Sequence, residues 1–479
     1  MTGPYDGVRV VEVGQFIAVP YCAQLLADGG ADVVKVEPLD GDPTRTNSPR
    51  VAGEGRQFLN KNRGKRSIAL ELGAGAGQRI LADLARRADV VLVNGRPGWS
   101  SKMGLGAELA AANPRVVLAE CSAFGGRGPL AQLPGVDVVL QAHAGLVHQG
   151  KGGPELLGNP IIDYTASLLL AFGVATALYH RERRGIGQRI DVSLLQAALV
   201  LQNNAMFHAD ASDGELAAHA EPTRAAVAGA TSWQEVPRAA RRAGGPVPIQ
   251  AYYGIFPTGA GWLAIGGARP QIQRRLARAL GIEDRWIDGS GWSPADPAAY
   301  LDELRAEIRR RLADDSATAW VDRLRAADVP AAVVQLPEEL LGDEQVVAND
   351  FVVRQAHPVA GSLLGVAPPL ALDRTPFRVS RPAPGLSEHA AEILAELGMP
   401  RDRVDELVAQ GVVAARQRRS NRRLSNANPT RSCRTWTSQR HRSVRACAPR
   451  SKRCSARRSC PGTSTTSTPR RRAVHRPVG

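Results

Sequence analysis

The sequence predicts an α/β protein, a parallel β-sheet covered by helices on both faces, followed by a smaller α+β domain. Three observations carry this. The runs VVKV (33–36), VVLV (90–93) and VVLA (116–119) are nearly unbroken apolar segments, as expected of strands buried on both faces. Helical patterns alternate with them, which is the signature of βαβ units. From Gln250 the run AYYGIFPTGAGWLAIGG places two β-rich segments around Thr258-Gly259-Ala260-Gly261, a hairpin signal.

The first unit comprises a strand over Val8–Val13, a helix over Tyr21–Ala27 ended by Gly29-Gly30, and a strand over Val33–Val36. Helices are expected at Ala76–Arg87 and Leu105–Ala112, alternating with strands at Val90–Val93 and Val116–Ala119. Ligands of such sheets lie at the carboxyl ends of the strands. The loops there are Gly14-Gln15-Phe16-Ile17, Asn94-Gly95-Arg96-Pro97-Gly98 and Cys121-Ser122-Ala123-Phe124-Gly125-Gly126. Lys35, Lys65, Arg66, Arg96 and Lys102 are candidates to make this crevice attractive to an anion. Glycine and proline after a strand also simply turn the chain. Neither GxGxxG nor GxxxxGK[ST] occurs, so the usual nucleotide fingerprints are missing.

Gly158–Ala197 holds the first catalytic candidate. Asp163 is the only charged residue between Glu155 and His180 and heads an apolar helix expected over Tyr164–Tyr179. A carboxylate there must be capped, paired or chemically used, and a helix N-cap alone accounts for its position. Ala166, Ser167, Gly173, Ala175 and Ala177 permit close packing, and RERRG (181–185) suits the helix's C-terminal end. A strand at Ile190–Val192 and a helix at Leu194–Gln202 follow.

The expected organisation is a large domain beginning with residues 1–209, a linker over 210–249, a small domain over 250–335, and a return over 336–414 to the large domain. Helices are expected in the small domain at Ile272–Leu280, Tyr300–Leu312 and Ala317–Ala327, with a strand at Ala331–Val334; the return ends in a helix at Glu388–Leu397. Residues 415–479 read as a disordered Arg-rich tail. Residues 416–476 hold eighteen Arg, one Lys and no acid; removing these 19 charges from the net +15 leaves −4, so the body is not basic. The tail resembles out-of-frame translation of a GC-rich gene, the alternative being a nucleic-acid-binding extension. Only Cys22 and Cys121 lie in the body, which suggests a reducing compartment without a disulfide framework. With no export signal and no apolar stretch of about 18 residues recognised, a cytoplasmic protein without membrane spans is expected.

The motifs YDGVRVVEVG, GADVVKVEP, LNKNRGKRSIALEL, NGRPG with KMGLG, FGGRGPLAQLPGVDVVLQAHAGL, NPIIDY with RRGIGQRIDVSLLQAAL, YGIFPTGAGWLAI and RPAPGLSEHAAEILAELG occur in order across residues 5–413. They resemble the family III CoA-transferases, the group containing formyl-CoA and carnitine CoA-transferases. The resemblance implies a Rossmann-like large domain, an open-ring subunit and an intertwined homodimer. It implies acyl-CoA and a carboxylic acid as substrates, with no permanently bound cofactor and no metal site. Asp163 takes the catalytic position and would carry covalent aspartyl intermediates. Gln15, Phe16, Ile17, Ala18, Lys65, Asn94, Gly95, Arg96, Lys102, Met103, Ser122 and Phe124 match CoA-binding regions, and Gly266-Gly267 the position of a lid loop, with only two glycines.

The family also contains α-methylacyl-CoA racemases, which use a His in a Gly-His-Asp motif. Here the motif reads Gly135-Val136-Asp137, with His143 and His148 nearby but off it, so racemisation is the alternative enzymatic reading. A non-catalytic CoA- or nucleic-acid-binding protein is the alternative outside catalysis. Where the resemblance to formyl-CoA transferase implies a Gln contacting a small acyl group, this chain has Ile17 after Phe16, an apolar pair that favours a larger or more apolar acyl group than oxalate.

Overall fold

The computed structural model describes residues 3–51, 53–149, 154–207 and 247–415. The expected linker falls almost wholly, and the expected tail nearly entirely, outside these residues.

Six strands form one parallel sheet: β1 (Arg9–Val13), β2 (Asp32–Glu37), β3 (Lys65–Ala69), β4 (Val90–Asn94), β5 (Val117–Ser122) and β6 (Arg189–Ser193). Their spatial order is 3-2-1-4-5-6. The chain reverses its winding between β1 and β4, and a doubly wound sheet opens its ligand crevice at that switch point. Sequence reading passed over β3, because KRSIA opens with two cations. Both are internally satisfied, which makes the strand buildable.

Side-chain alternation assigns the two faces. Val10, Val33, Leu92, Val117 and Ala119 pack under α1 (Ala18–Asp28), and Val11, Val34, Val91, Val93 and Leu118 pack under α2 (Gly75–Arg86). On the first face lies a helix of 24 residues, which follows the short α3 (Asp137–His143) and is labelled α4 (Ile161–Arg184). Its stripe Ile162, Ala166, Leu170, Val174 and Ala177 is buried in the core. Gly185 closes it in the left-handed conformation (φ 76°), its N–H reaching the Arg181 carbonyl at 2.8 Å. By length and composition alone α4 could cross a membrane, although no such stretch was expected from the sequence. Its buried stripe is that of a helix packed on a sheet. After β6 comes α5 (Leu194–Leu201), capped by Ser193, whose hydroxyl accepts from the Gln196 N–H at 3.0 Å.

The second region carries the antiparallel strands β7 (Tyr253–Pro257), β8 (Trp262–Gly266) and β9 (Ala331–Val333). Its helices are α6 (Pro270–Leu280), α7 (Pro297–Leu312) and α8 (Ala317–Ala326), around a core of Tyr252, Leu263, Leu276, Ile308 and Leu324. A further hairpin, β10 (Val352–His357) and β11 (Gly361–Val366), was not expected. The chain then returns to the parallel sheet: α9 (Ala390–Glu396) and α10 (Arg401–Ala409) add Ile393, Leu394 and Leu407 to the core on the α2 face.

A buried ionic network lies under the β1–α1 loop. Lys35 contacts Glu12 at 2.7 Å and Asp42 at 3.1 Å, and Lys65 contacts Glu12 at 2.7 Å, with all four carboxylate and ammonium groups removed from solvent. The Lys35 ammonium also donates to the Gly14 carbonyl at 2.7 Å, and Lys65 to the Pro20 carbonyl at 2.8 Å. The network thus ties the loop and the start of α1 to the sheet.

Candidate active site

At the switch point the β1 and β4 loops are bound to each other. The Gln15 N–H donates to Asn94 Oδ1 at 3.1 Å, and Asn94 Nδ2 donates to the Gln15 carbonyl at 2.9 Å. Two cavities, of about 650 Å³ and about 600 Å³, meet at this bridge: both are lined by Gln15, Asn94 and Gly95. Phe16 lines the first cavity in a left-handed conformation (φ 66°), rare for a residue with a Cβ and typical of loops held for a purpose by their surroundings.

Asp163 lines the same cavity from the first turn of α4. Sequence reading offered it as the helix cap, but the cap is Asp137. Asp137 Oδ2 accepts the N–H of Ile162 at 2.9 Å and of Asp163 at 3.1 Å, while its Oδ1 accepts from Gln141 Nε2 at 2.5 Å. Gln141 in turn accepts the Leu157 N–H at 3.0 Å and donates to the Asn159 carbonyl at 3.2 Å. Asp137 and Gln141, one turn apart on α3, therefore fix the segment that delivers Asp163. Among the described residues nothing donates a hydrogen bond to the Asp163 carboxylate. Its pKa is pushed up to about 7, first by burial and then by the neighbouring Asp137 charge, with Lys61 opposing.

Lys61 closes the short helix Arg56–Lys61, is buried, and lies 5.8 Å from the Tyr164 ring centre. Sequence reading missed it, taking Lys65 from the same LNKNRGK motif. The four-residue offset decides between them: Lys65 begins a strand and is wholly enclosed, held by Glu12, Asn62 and the Pro20 carbonyl. Burial pulls the Lys65 pKa down to about 8.

The other expected residues separate in the same way. Gln15, Phe16, Ile17, Ala18, Asn94, Gly95, Arg96 and Ser122 line the first cavity with Asp163. Lys35 is fully buried in the ionic network, and Arg66 is committed to Asp32, Glu392 and Glu396 at the amino end of β3, away from the crevice. Lys102 ends a short helix and is exposed, Met103 packs against the core on the α2 face, and Phe124 meets His143 edge-on at 5.5 Å; none of the three lines the cavity. Gly266 and Gly267 are pinned, their N–H groups bonded to the carbonyls of Pro330 at 2.9 Å and Tyr252 at 3.0 Å, and they do not line the cavity. His143 and His148 do not line it either; His148 faces Glu155 at 3.1 Å.

Residues 5–390 match the family described as CoA-transferase family III. A protein of Mycobacterium tuberculosis described as a probable fatty acyl-CoA transferase is 30% identical over 407 residues, covering 82% of this chain and 98% of its own. The formyl-CoA:oxalate CoA-transferase of Streptomyces avermitilis is 32% identical over 425 residues, covering 86% and 100%. A crystal structure of the mycobacterial protein superposes with a TM-score of 0.67 at 27% identity, covering 82% of this chain and 99% of that one. A crevice at the sheet's switch point, a near-neutral carboxylate facing it, and matches along almost the whole length of these relatives lead to one assignment: the chain belongs to CoA-transferase family III and is an enzyme that uses coenzyme A thioesters as substrates.

Proposed function

We propose that the protein moves CoA from an acyl-CoA to a carboxylic acid through covalent intermediates on Asp163. The observation that carries this is the Asp163 carboxylate itself: it lines the cavity, is free of hydrogen bonds from the described residues, and titrates near neutrality. The carboxylate attacks the donor thioester carbonyl, the C–S bond breaks, and CoA thiolate leaves a mixed anhydride. The thiolate attacks the aspartyl carbonyl, releasing the donor acid and leaving an aspartyl-CoA thioester. The acceptor carboxylate attacks that thioester, expelling CoA thiolate and forming a second anhydride. Attack of the thiolate on the acceptor carbonyl yields the new acyl-CoA and restores Asp163. No net proton is consumed. In this reading the acyl end of CoA lies in the first cavity, the chain crosses the Gln15–Asn94 bridge, and the nucleotide end uses the second. Exchange between an acyl-CoA and a panel of acids, followed by liquid chromatography and mass spectrometry, tests the reading. New thioesters are expected; none with any acid contradicts it.

The attacking form is the anion, so kcat/KM rises with pH through about 7 and then levels. Asp137→Asn keeps an acceptor at the helix start but removes the charge that raises the Asp163 pKa, so the acidic limb moves to lower pH. Lys61→Gln removes the opposing cation and moves it to higher pH. pH–rate profiles of the two variants check this; shifts in the same direction, or none, contradict it.

We propose a large domain (1–209 with 336–414) and a small domain (250–335), a division supported by separate apolar cores among the described residues. We infer an intertwined homodimer, supported by the exposed stripe Leu168, Phe172 and Tyr179 on α4, where Phe172 is 72% exposed. A cytoplasmic setting fits the buried free thiols Cys22 and Cys121.

A further inference from the structure

Resting on the transferase reading above, we infer that the acyl group handled at Asp163 is an apolar monocarboxylic chain longer than acetyl, and that dicarboxylic acids are poor partners. The carboxylate faces a cavity of about 650 Å³, a size suited to a ligand with a substantial apolar body. Its walls include Phe16, Ile17, Leu133, Val136, Val138 and Leu156. In the single chain all of these but Ile17 are 40 to 49% exposed, so the apolar side chains present contact surface at the cavity. A patch of this kind marks a place where an apolar group docks. The covalent chemistry at Asp163 specifies the group, since the acyl carbon must reach the carboxylate and its chain must run along these walls.

Charge complementarity points the same way. Among the described residues Arg96 is the one cationic side chain lining the cavity; it is exposed in the loop after β4. Lys61, the other cation near Asp163, is buried and does not line the cavity. Asp137 and Asp163 are the anions of the lining. A second carboxylate carried along the apolar wall, away from Arg96, would therefore lose water beside Leu133, Val136 and Val138 with no cation among the described lining residues to receive it there, an unfavourable exchange.

The test uses the full chain, with acetyl-, butyryl-, hexanoyl- and octanoyl-CoA as donors and the matching acids, oxalate, succinate and glutarate as acceptors. The expected result is a kcat/KM that climbs roughly threefold per added methylene until the cavity is filled. Dicarboxylates should fall roughly 10²-fold or more below hexanoate. Leu133→Asp should lower the octanoyl-to-acetyl ratio of kcat/KM at least roughly tenfold; Leu133 is half-exposed, and an unchanged thermal midpoint would verify folding. A flat chain-length profile, or preference for succinate or oxalate while an adduct still forms on Asp163, overturns this inference and leaves the transferase reading intact. Absence of both transfer and adduct with every donor overturns both.

Discussion

Asp163→Asn is expected to lower CoA transfer roughly 10⁴-fold or more, the scale seen when a covalent nucleophile is removed. The loss should fall on kcat, because the bridged Gln15–Asn94 loops and the cavity walls are untouched. Stability should hold or rise slightly. The native carboxylate receives no hydrogen bond from the described residues, and its raised pKa reports a charge disfavoured by burial and by Asp137. Asp163→Glu should stay at least roughly 10²-fold below the native enzyme, since displacing a nucleophile by one methylene spoils its alignment. Steady-state kinetics with thermal melting check all three statements. Substantial turnover by the Asn variant would remove Asp163 from the chemistry.

The largest effect on stability is expected at Lys35. It has no exposed surface and holds Glu12, Asp42 and the Gly14 carbonyl together. Lys35→Met leaves Glu12 with Lys65 alone and Asp42 without an ion pair, a net buried negative charge, and breaking a buried ionic group in this way costs about 3–5 kcal/mol. Adding Glu12→Gln to that variant should recover part of the loss, because the uncompensated charge is then removed. Denaturation of the native, single and double variants checks this. The same substitution frees the Gly14 carbonyl, so the KM for acyl-CoA should rise in the Lys35 variant that remains folded.

The parallel sheet was legible because its strands are apolar on both faces: runs such as VVLV have no other stable home in a chain that alternates strand and helix. The reversal that creates the crevice was only implicit, since it depends on β4 pairing with the free edge of β1, and the outer strand KRSIA reads as a strand only once Lys65 and Arg66 have partners distant in sequence. Asp163 was visible as an isolated charge on an apolar helix. Its true cap was not, because Asp137 lies 26 residues upstream and only the folded chain places its carboxylate on the Asp163 N–H. In the GVD motif Val136 stands at the histidine position, and the aspartate beside it is the cap. Lys61 and Lys65 show the limit of residue type as a guide: two lysines in one basic motif lie four positions apart, one beside Tyr164, the residue after Asp163, and one sealed in the core. The helices α7 and α8 were found from periodicity, with Asp296 and Ser316 capping them at positions that sequence alone left open by a few residues.

The covalent role of Asp163 is tested most directly by trapping. The full chain is incubated with an acyl-CoA, quenched with hydroxylamine or borohydride, digested and sequenced by mass spectrometry. The account predicts a hydroxamate, or the reduced alcohol, at Asp163 that depends on acyl-CoA and is lost in Asp163→Asn. Transfer that proceeds with Asp163 unlabelled, or with the label on another residue, would contradict it.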